Sequence, residues 1–527
     1  MNPLVAVRDT LDRQLGRVTM YRLVTITLAL LAAVYAVFTA TGVIEGLSTG
    51  DNLVALAVLL VASVVSNRLL GLAWRITPHT ESAVITALLL FFIFVPLIEN
   101  SVANLSWLAA SAVLANASKF VLAWRGRHVL NPAAAGALLV VVVQDLAGRD
   151  LVVSPLWQTA ASESLLPFLA VASVLVLWRT RRLDVGLTFA IVAYVLTIVG
   201  LTNGFESGTG DALTGVLYSY PILFMAAYMV TEPLTLPPRR AQQLAVAVAT
   251  AVVFAYGSLV VLWDGTPITV QGRSFTYELT PEVAILVGNL VAFAFARRRG
   301  LSFELEGTRQ LSPETHELTF RSKRDVSFTP GQYVELTLPH RGMDGRGARR
   351  TFSVSSPPDA DGRFSFALRV PEKSSSFKRA LLALEPGEKV QGTGVGGDFV
   401  WPSDPSIPLL LVAGGIGITP FLSQLRHEGS RDAVLVYGAS SPDEVPFTEE
   451  LAGVRVVLVC PERPSHLPEG WTYVAAPFVS VDLIADSVPD LGDRKAYVSG
   501  PPAMVNAVRG DLRKRCASVK TDYFTGY

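Results

Sequence analysis

The C-terminal half of the chain contains short segments whose residue types suit phosphate groups and flat aromatic rings. The segment Arg350-Thr351-Phe352-Ser353 combines three such side chains. An arginine can bind phosphate oxygens through two parallel hydrogen bonds, an aromatic side chain can lie on a flat ring, and a serine hydroxyl can hydrogen-bond a ring nitrogen. Downstream, Ser375 and Ser376 precede a predicted helix over residues 377–384, whose N-terminal amides suit a pyrophosphate. A plain serine N-cap is the alternative interpretation of these serines.

Two glycine-containing turns follow apolar segments further along the chain. The first turn contains Gly414, Gly415, Gly417, Thr419 and Pro420. Glycines in such a turn let backbone amides approach a phosphate closely, and the dipole of the helix that follows favours the negative charge. The second turn is Ser499-Gly500-Pro501. Either turn alone is a weak signal, but both turns in this order after an Arg-x-aromatic-Ser segment are a strong one.

Together these segments resemble the ferredoxin–NADP reductase family over residues 302–527. The resemblance implies a flavin-dependent NAD(P)H oxidoreductase that binds FAD and a nicotinamide dinucleotide. It also implies that Arg350 binds flavin phosphate, that Phe352 packs on the isoalloxazine ring, and that Ser353 lies near the N5 atom of that ring. The turn at Gly414–Pro420 would then bind the phosphates of the nicotinamide dinucleotide.

Two positions depart from the pattern of that family. Phe352 replaces the usual tyrosine, so the stacking ring is retained and the hydroxyl is lost. Ser499 replaces the usual cysteine beside the nicotinamide. Hydride transfer is still expected, and the sequence does not define the geometry of that transfer. Many relatives end with an aromatic residue that covers the flavin until nicotinamide displaces it. Phe524 and Tyr527 are the candidates here, with surface packing of a terminal aromatic as the alternative.

The choice between NADH and NADPH depends on the loop after the apolar segment at residues 433–437. That loop contains Asp443 and Glu444 and has no arginine or lysine to hold a 2′-phosphate. The sequence therefore favours NADH.

The elements that must position these residues differ between two ranges of the soluble half. Residues 301–403 contain short alternating runs separated by turn residues, as in an antiparallel β-barrel. Residues 404–527 alternate apolar runs, glycine turns and helical segments, which is typical of buried parallel strands in an α/β domain. We therefore predict an FAD-binding β-barrel followed by an NAD(P)-binding α/β domain.

Residues 21–300 are far more apolar, with runs that are long enough, or nearly so, to span a membrane about ten times. Basic residues recur in every second loop, and the alternate loops carry mostly acids. This alternation predicts that the N-terminal segment, residues 1–20, and the domains after the Arg297-Arg298-Arg299 cluster lie in the cytoplasm. We therefore predict a polytopic α-helical protein of the cell inner (plasma) membrane, surrounded by lipid.

Two helix starts in this membrane domain have similar sequences. Asn131-Pro132 and Thr280-Pro281 each suit an N-cap followed by proline at the first helical position. They lie about five predicted spans apart and open their helices from opposite sides, which is consistent with a five-plus-five inverted repeat. Ordinary helix starts are the alternative interpretation.

Scarce residue types exclude several classes of redox centre and partner. The chain has only Cys460 and Cys516, in no CxxC pattern, so we expect no iron–sulfur cluster and no metal site. Only His79 and His128 fall in the membrane half, near predicted loops, which excludes a transmembrane haem held by histidine pairs. The formal net charge is +0, and nothing in it points to nucleic acid.

The membrane half also resembles a family, through residues 127–134 and residues 229–235. These segments are similar to the signature segments of the family that comprises the D-type subunit of the Rnf complex and the B-type subunit of the sodium-pumping NADH:quinone reductase. The resemblance implies a ten-helix inverted-repeat fold and a flavin in the membrane domain, with Asn131, Thr231 and Glu232 as candidate contacts. Relatives attach FMN to a threonine, but the matching position here is Leu217, which has no hydroxyl. We therefore expect FMN or riboflavin to be held non-covalently.

These observations support one leading hypothesis and two alternatives. The leading hypothesis is a membrane-bound NAD(P)H dehydrogenase that passes electrons through FAD to a membrane flavin and on to an extracytoplasmic flavoprotein. Its candidate catalytic residues are Ser353, Ser499, Phe524 and Tyr527. One alternative is an NAD(P)H:quinone reductase whose quinone binds in the membrane domain. The other is a permease regulated by the redox state of its flavin domain.

Overall fold

The computed structural model of the 527-residue chain describes residue 15 and residues 18–74, 78–95, 101–124, 127–148, 152–204, 208–260, 268–273, 276–296, 301–322, 326–344, 347–359 and 361–524. The chain divides into two compact units, residues 18–298 and residues 299–527 together with 1–17. The Arg297-Arg298-Arg299 cluster and Tyr527 lie outside the described residues.

The unit of residues 18–298 consists mainly of helices. In chain order its longer helices are α1 (Met20–Ala40), α2 (Thr49–Ala73), α3 (Thr80–Phe94), α4 (Val102–Val121), α5 (Pro132–Leu146), α6 (Leu166–Arg179), α7 (Leu183–Gly204), α8 (Thr209–Ser219), α9 (Arg240–Leu259) and α10 (Pro281–Ala296). Two short antiparallel strand pairs accompany them, β1 (Ala123–Trp124) with β2 (Arg127–His128) and β3 (Val270–Gln271) with β4 (Thr276–Tyr277).

Four of these helices, α1, α2, α7 and α9, are long and apolar enough to cross a membrane. A fifth span results if α8 and the bent segment that follows it are taken together. By helix length and apolar composition, the prediction of about ten spans is therefore wrong for the described residues. The apolar helices α3 and α5 contain 15 residues each, which is fewer than the roughly 20 residues needed to cross a hydrocarbon core. Hydropathy marks apolar runs but does not show where a helix inside such a run begins and ends.

The bend after α8 has an identifiable cause. Helix α8 and Ile222–Met229 meet at an angle of 49°, and Pro221 lies between them. Proline lacks the amide hydrogen that would continue the helix, and its ring clashes with the preceding turn. Residues Met225–Met229 then form a π-helix, a rare conformation that places a bulge in the chain where residues 229–235 begin.

Helix α3 lies inside the core of the helical unit. Every residue from Thr86 to Phe94 is buried, as expected for a helix that is apolar on all sides. A segment without regular structure packs against its C-terminal end, where the amides of Leu156 and Trp157 donate to the Ile93 carbonyl at 3.0 and 2.9 Å. Buried irregular backbone is therefore satisfied by hydrogen bonds to the end of this helix.

The second unit begins with an antiparallel sheet in the strand order β8-β7-β10-β5-β6-β9. Its strands are β5 (Leu301–Gln310), β6 (Thr315–Ser322), β7 (Tyr333–Thr337), β8 (Arg349–Ser353), β9 (Arg363–Arg369) and β10 (Lys389–Gly396), with helix α11 (Ser376–Leu382) before the last strand. Alternate residues of these strands point inward, and the core contains Phe303, Phe320, Phe364 and Phe366. The predicted antiparallel architecture is confirmed.

A parallel sheet follows, in the order β14-β13-β12-β11-β15-β16. Its elements are β11 (Leu409–Gly414), α12 (Thr419–His427), β12 (Ala433–Gly438), β13 (Arg455–Cys460), β14 (Thr472–Ala475), α13 (Val481–Ser487), β15 (Lys495–Gly500), α14 (Pro502–Arg515) and β16 (Ser518–Tyr523). The order reverses between β11 and β15, and the carboxyl ends of two such strands form the crevice where α/β sheets bind ligands. The predicted α/β domain is confirmed.

Candidate functional site

The two predicted nucleotide turns meet at the reversal point of the parallel sheet. Gly417 packs so closely on the β15 turn that an added Cβ atom would lie 2.5 Å from the Ser499 carbonyl oxygen. An added Cβ atom on Gly414 would lie 2.6 Å from the Met504 sulfur, and Gly415 has a φ angle of +52°. Glycine is therefore required here by packing and by backbone conformation. Thr419 begins α12 and Pro501 is the N-cap of α14, with Pro420 and Pro502 in the first turns.

Ser499 lies at the end of β15, beside a carboxylate that the sequence reasoning missed. Its side chain is fully buried, and its hydroxyl has no hydrogen-bond partner among the described residues. Asp522 is its register partner on the neighbouring strand β16, and burial raises the pKa of the Asp522 carboxyl to about 6. The alternation of Lys520 and Asp522 along one face of β16 is the sequence signal that marks this acid.

The face of the sheet that carries Ser499 and Asp522 turns toward the barrel. Two residues earlier on each strand, Tyr497 pairs with Lys520, and the Lys520 ammonium lies 5.7 Å from the centre of the Tyr497 ring. Tyr497 donates its hydroxyl to the Val400 carbonyl at 2.9 Å. Because side chains two residues apart on a strand share a face, Ser499 and Asp522 also lie on the barrel side.

Phe524 follows β16 and is fixed at the same edge. Its amide donates to the Gly500 carbonyl at 2.9 Å, which holds the C-terminal segment next to the β15 turn. The predicted role of Phe524 as a cover for flavin stays a prediction, and the other candidate, Tyr527, lies outside the described residues.

Strand β8 places the Arg-x-aromatic-Ser segment in the barrel wall. Ser353 pairs with Tyr333 of β7 and is buried, whereas Thr351 is exposed. Phe352 stacks on Phe366, with ring centres 4.6 Å apart and planes 17° apart. Part of the Phe352 ring surface is thus covered by a core side chain, and its predicted contact with flavin stays a prediction.

Arg350 lies at the other end of the predicted flavin site, close to helix α11. Its side chain is 5% exposed, and its guanidinium carbon lies 5.2 Å from the centre of the Phe377 ring. Ser375 is the N-cap of α11 and accepts from the Lys378 amide at 3.3 Å, as in the plain N-cap interpretation. Ser376 begins the helix, one residue earlier than predicted.

An anionic group already bridges Arg350 and Ser376. The Asp344 carboxylate accepts from the Ser376 amide at 3.0 Å and lies 3.7 Å from the Arg350 guanidinium. A buried arginine and a backbone amide that together hold a carboxylate are also suited to a phosphate. The donor set therefore fits FAD, which Arg350 and Ser376 would hold by its pyrophosphate.

The loop after β12 carries the two acids that favour NADH. Ser440 donates to the Glu444 carboxylate at 2.7 Å, and Arg369 of the barrel strand β9 contacts the same carboxylate at 2.7 Å. The sequence did not reveal this arginine near the loop. It is also paired with Glu314 at 2.7 Å, so its charge is offset by two carboxylates.

In the helical unit, the two signature segments are brought together by one carboxylate. Glu232 contacts His128 Nε2 at 2.8 Å and accepts from Asn131 Nδ2 at 3.0 Å. The backbone amide of Asn131 donates to Asn289 Oδ1 of α10 at 2.6 Å. Thr231 donates its hydroxyl to helix carbonyls at 3.0 Å. Asn131 and Thr231 thus bond within the protein, and their predicted contacts with a flavin stay predictions.

A mostly apolar cavity of roughly 210 Å³ lies between α6, α7 and α8. Its lining includes Tyr194, Tyr220 and Leu217. Leu217 is the residue that the sequence resemblance aligned with a flavin-bearing threonine, and it has no group that could form a phosphoester.

Among known proteins, residues 411–510 match the oxidoreductase NAD-binding domain family. The reductase subunit of an aromatic O-demethylase from Amycolatopsis is 28% identical over 39% of this chain and 63% of its own length. NADH-cytochrome b5 reductase 1 of Cryptococcus neoformans is 26% identical over 44% of this chain and 85% of its own length. The chain thus spans less than two thirds of the first of these relatives.

The crystal structure of Amycolatopsis cytochrome P450 reductase matches 43% of this chain and 70% of its own chain, at 24% identity and a TM-score of 0.36. The homologues are flavin-dependent NAD(P)H oxidoreductases. The C-terminal half of this chain matches the ferredoxin–NADP reductase and NAD-binding family.

Proposed function

We propose that this protein is a membrane-bound NAD(P)H dehydrogenase that takes electrons from a nicotinamide cofactor and delivers them to an acceptor beyond the cytoplasm. The observation that carries the proposal is the close packing of the Gly414–Gly417 turn on the Ser499-Gly500 turn, where the strand order reverses. That crevice is the position at which α/β sheets bind nucleotides.

The residues of the second unit have distinct tasks in this proposal. The amides of the Gly414–Gly417 turn hold the dinucleotide phosphates, while Arg350 and Ser376 hold the flavin pyrophosphate. Ser499 and Asp522 lie on the face turned toward the barrel, where the nicotinamide must meet the flavin ring. When bound, FAD supplies the chemistry that converts a two-electron hydride into electrons for the next carrier.

The next carrier, in this proposal, is an FMN or riboflavin held non-covalently in the helical domain. Support comes from the Glu232 contacts that join the two signature segments, His128 and Asn131 on one side and residues 229–235 on the other. Leu217 supports the non-covalent mode because a leucine cannot form a phosphoester. The final acceptor is an extracytoplasmic flavoprotein.

The location is part of the same proposal. Four apolar helices of spanning length support a membrane protein. The alternation of basic and acidic loops supports a cytoplasmic N-terminus and a cytoplasmic reductase, where NADH and NADPH are available.

Flavin content and vesicle activity test this function. The full-length chain is purified in detergent, its flavins are identified, and the protein is precipitated with acid. We expect FAD and a second flavin, both released into the supernatant. Flavin that stays with the precipitate would contradict the interpretation of Leu217, and FAD as the sole flavin would contradict the membrane carrier.

A second measurement separates the proposed acceptor from the alternative. In vesicles with the reductase on the outside, NADH is added outside and an impermeant acceptor is enclosed. We expect NADH-dependent reduction of the enclosed acceptor without added quinone.

The quinone reductase alternative is favoured by the cavity lined by Tyr194, Tyr220 and Leu217. An apolar pocket with a few phenolic groups suits a flat ring with an apolar tail. If this alternative holds, NADH oxidation depends on added quinone, the enclosed acceptor stays oxidised without it, and Leu217→Trp, which fills the cavity, abolishes the quinone response.

A further inference from the structure

We propose that the Asp344 carboxylate occupies the phosphate position of the flavin site and must leave it when FAD binds, so that this residue limits the affinity of the protein for FAD. The inference rests on the proposed function in one respect, namely that FAD binds at Arg350 and Ser376.

The contacts of Asp344 coincide with those expected of a flavin phosphate. Its carboxylate accepts from the Ser376 amide at 3.0 Å and lies 3.7 Å from the Arg350 guanidinium. Its own amide donates to the Ser376 hydroxyl at 3.0 Å. The Asp344 carboxylate therefore engages the cation and the amide that a pyrophosphate would use, and the Asp344 backbone amide engages the Ser376 hydroxyl.

The turn that carries Asp344 is anchored on the same serine. His340 contacts the Ser376 hydroxyl through Nε2 at 2.9 Å and the Leu338 carbonyl through Nδ1 at 2.9 Å. Two residues of the connection between β7 and β8 thus hold Ser376. A ligand that takes over the Ser376 amide and hydroxyl must displace contacts of this turn.

Charge decides the direction of the effect. The Arg350 side chain is 5% exposed and the Asp344 side chain 33%, so the carboxylate offsets the charge of a buried guanidinium that also donates to the Gly347 carbonyl at 3.1 Å. A pyrophosphate carries its own negative charge, and two anions cannot share one such site without strong repulsion. Asp344 therefore stabilises the protein without flavin, and FAD binding must overcome that stabilisation.

The opposing interpretation is that Asp344 is a permanent cap of α11 that stays in place beside bound FAD. The two interpretations predict opposite signs. Removal of a competing carboxylate makes FAD bind more tightly, whereas removal of a structural cap weakens the site and makes FAD bind less tightly.

The test uses the full-length protein in detergent, with its flavins removed. FAD is titrated and its fluorescence quenching is followed for wild type, Asp344→Ala, Asp344→Asn and the control Asp361→Asn. Asp361 is a suitable control because its side chain is 72% exposed and it contacts Arg363 at 3.8 Å in a different turn. The thermal midpoint is measured for each protein with and without FAD.

We expect Asp344→Ala to lower the Kd for FAD about tenfold, which is about 1.4 kcal/mol. Asp344→Asn, which keeps the shape and loses the charge, should lower the Kd by less, and Asp361→Asn should leave it unchanged. Without FAD the Asp344→Ala protein should melt below wild type, and with saturating FAD the difference should disappear.

Unchanged or weaker FAD binding by a folded Asp344→Ala protein overturns the inference. If that variant does not fold, Asp344→Asn decides, because tighter binding supports the inference and unchanged or weaker binding overturns it. A failure of the proposed function gives a different result, namely wild-type protein that does not bind FAD at all. That result would contradict both the proposed function and the inference about Asp344.

Discussion

Ser499 and Asp522 are register partners on the neighbouring parallel strands β15 and β16, on the face of the sheet turned toward the barrel. Ser499 is fully buried with its hydroxyl unpartnered among the described residues, and burial raises the pKa of the Asp522 carboxyl to about 6. A titrating acid thus lies beside the Ser499-Gly500 turn, and its alternation with Lys520 along β16 is the signal of it in the sequence.

The raised pKa of Asp522 predicts a pH-dependent stability. Because the pKa in the folded protein is about 6, against 3.8 for an ordinary aspartate, the folded protein binds the proton more tightly than the unfolded chain. Asp522 therefore costs no stability below about pH 4, and its cost grows as the pH rises to about 6 and is complete above it. Asp522→Asn should stabilise the protein by up to about 3 kcal/mol at pH 8 and by little at pH 4.

The measurement is the thermal midpoint of the full-length protein at pH 4, 6 and 8, together with the rate of flavin reduction by NADH. We expect an inflection of that rate near pH 6 that Asp522→Asn removes. The control is Asp511→Asn, since burial of Asp511 is negligible and Lys514 lowers the pKa of its carboxyl. An Asp522→Asn protein with the same pH profile as wild type would show that this acid is not buried as described.

The close approach of the two nucleotide turns predicts a steric effect at Gly417. An added methyl group would lie 2.5 Å from the Ser499 carbonyl oxygen, so Gly417→Ala must push the turns apart. We expect a loss of about 1–3 kcal/mol in the free energy of unfolding and at least tenfold weaker NADH binding. Gly510→Ala is the matched control because nothing lies within 4 Å of the new atom in helix α14. That control should gain roughly 0.5–1 kcal/mol, and equal behaviour of both variants would refute the packing argument.

The pair of Arg369 and Glu444 predicts how the protein distinguishes NADH from NADPH. Glu444, in the loop after β12, contacts Arg369 at 2.7 Å. The negative charge of Glu444 therefore opposes a 2′-phosphate and also offsets the charge of this arginine. We expect wild type to prefer NADH, and Glu444→Gln to lower the ratio of kcat/KM for NADH over NADPH by about tenfold, which is about 1.4 kcal/mol.

Glu314→Gln provides the control, because Glu314 contacts the same arginine at 2.7 Å from a barrel turn. This change should leave the cofactor ratio within twofold of wild type. A wild-type preference for NADPH would refute the argument from these acids.

The Glu232 contacts in the helical unit predict a stability effect in the membrane domain. Glu232→Ala removes the partner of His128 Nε2 and of Asn131 Nδ2 and should cost about 1–3 kcal/mol. Glu232→Gln retains one acceptor and should cost less. Thermal unfolding in detergent measures both, with the exposed helix-end residue Asp211→Asn as the control. A Glu232→Ala protein as stable as the control would mean that the contact does not join the two segments.

Some features followed from the sequence because they depend on neighbouring residues. Alternating and continuous apolar runs predicted the antiparallel and parallel sheets, since side chains alternate along a strand whatever its partners are. The Gly414–Gly417 turn was predicted for a similar reason, because a tight strand-to-helix turn needs glycine locally. Leu217 predicted non-covalent flavin binding from its chemistry alone, since a leucine has no hydroxyl to form a phosphoester in any fold.

Other features depended on contacts between residues far apart in the chain, which local patterns do not encode. Among the described residues, four or five helices rather than about ten are long and apolar enough to span a membrane, and the bend at Pro221 and the short helices α3, α5 and α10 contribute to that difference. The approach of Asp344 to Arg350 and Ser376, and the pairing of Asp522 with Ser499, required the strands and turns to be placed in three dimensions. Burial and opposing charges at these sites arise only when the chain is folded, so the tertiary structure decided which acids lie at the predicted cofactor sites.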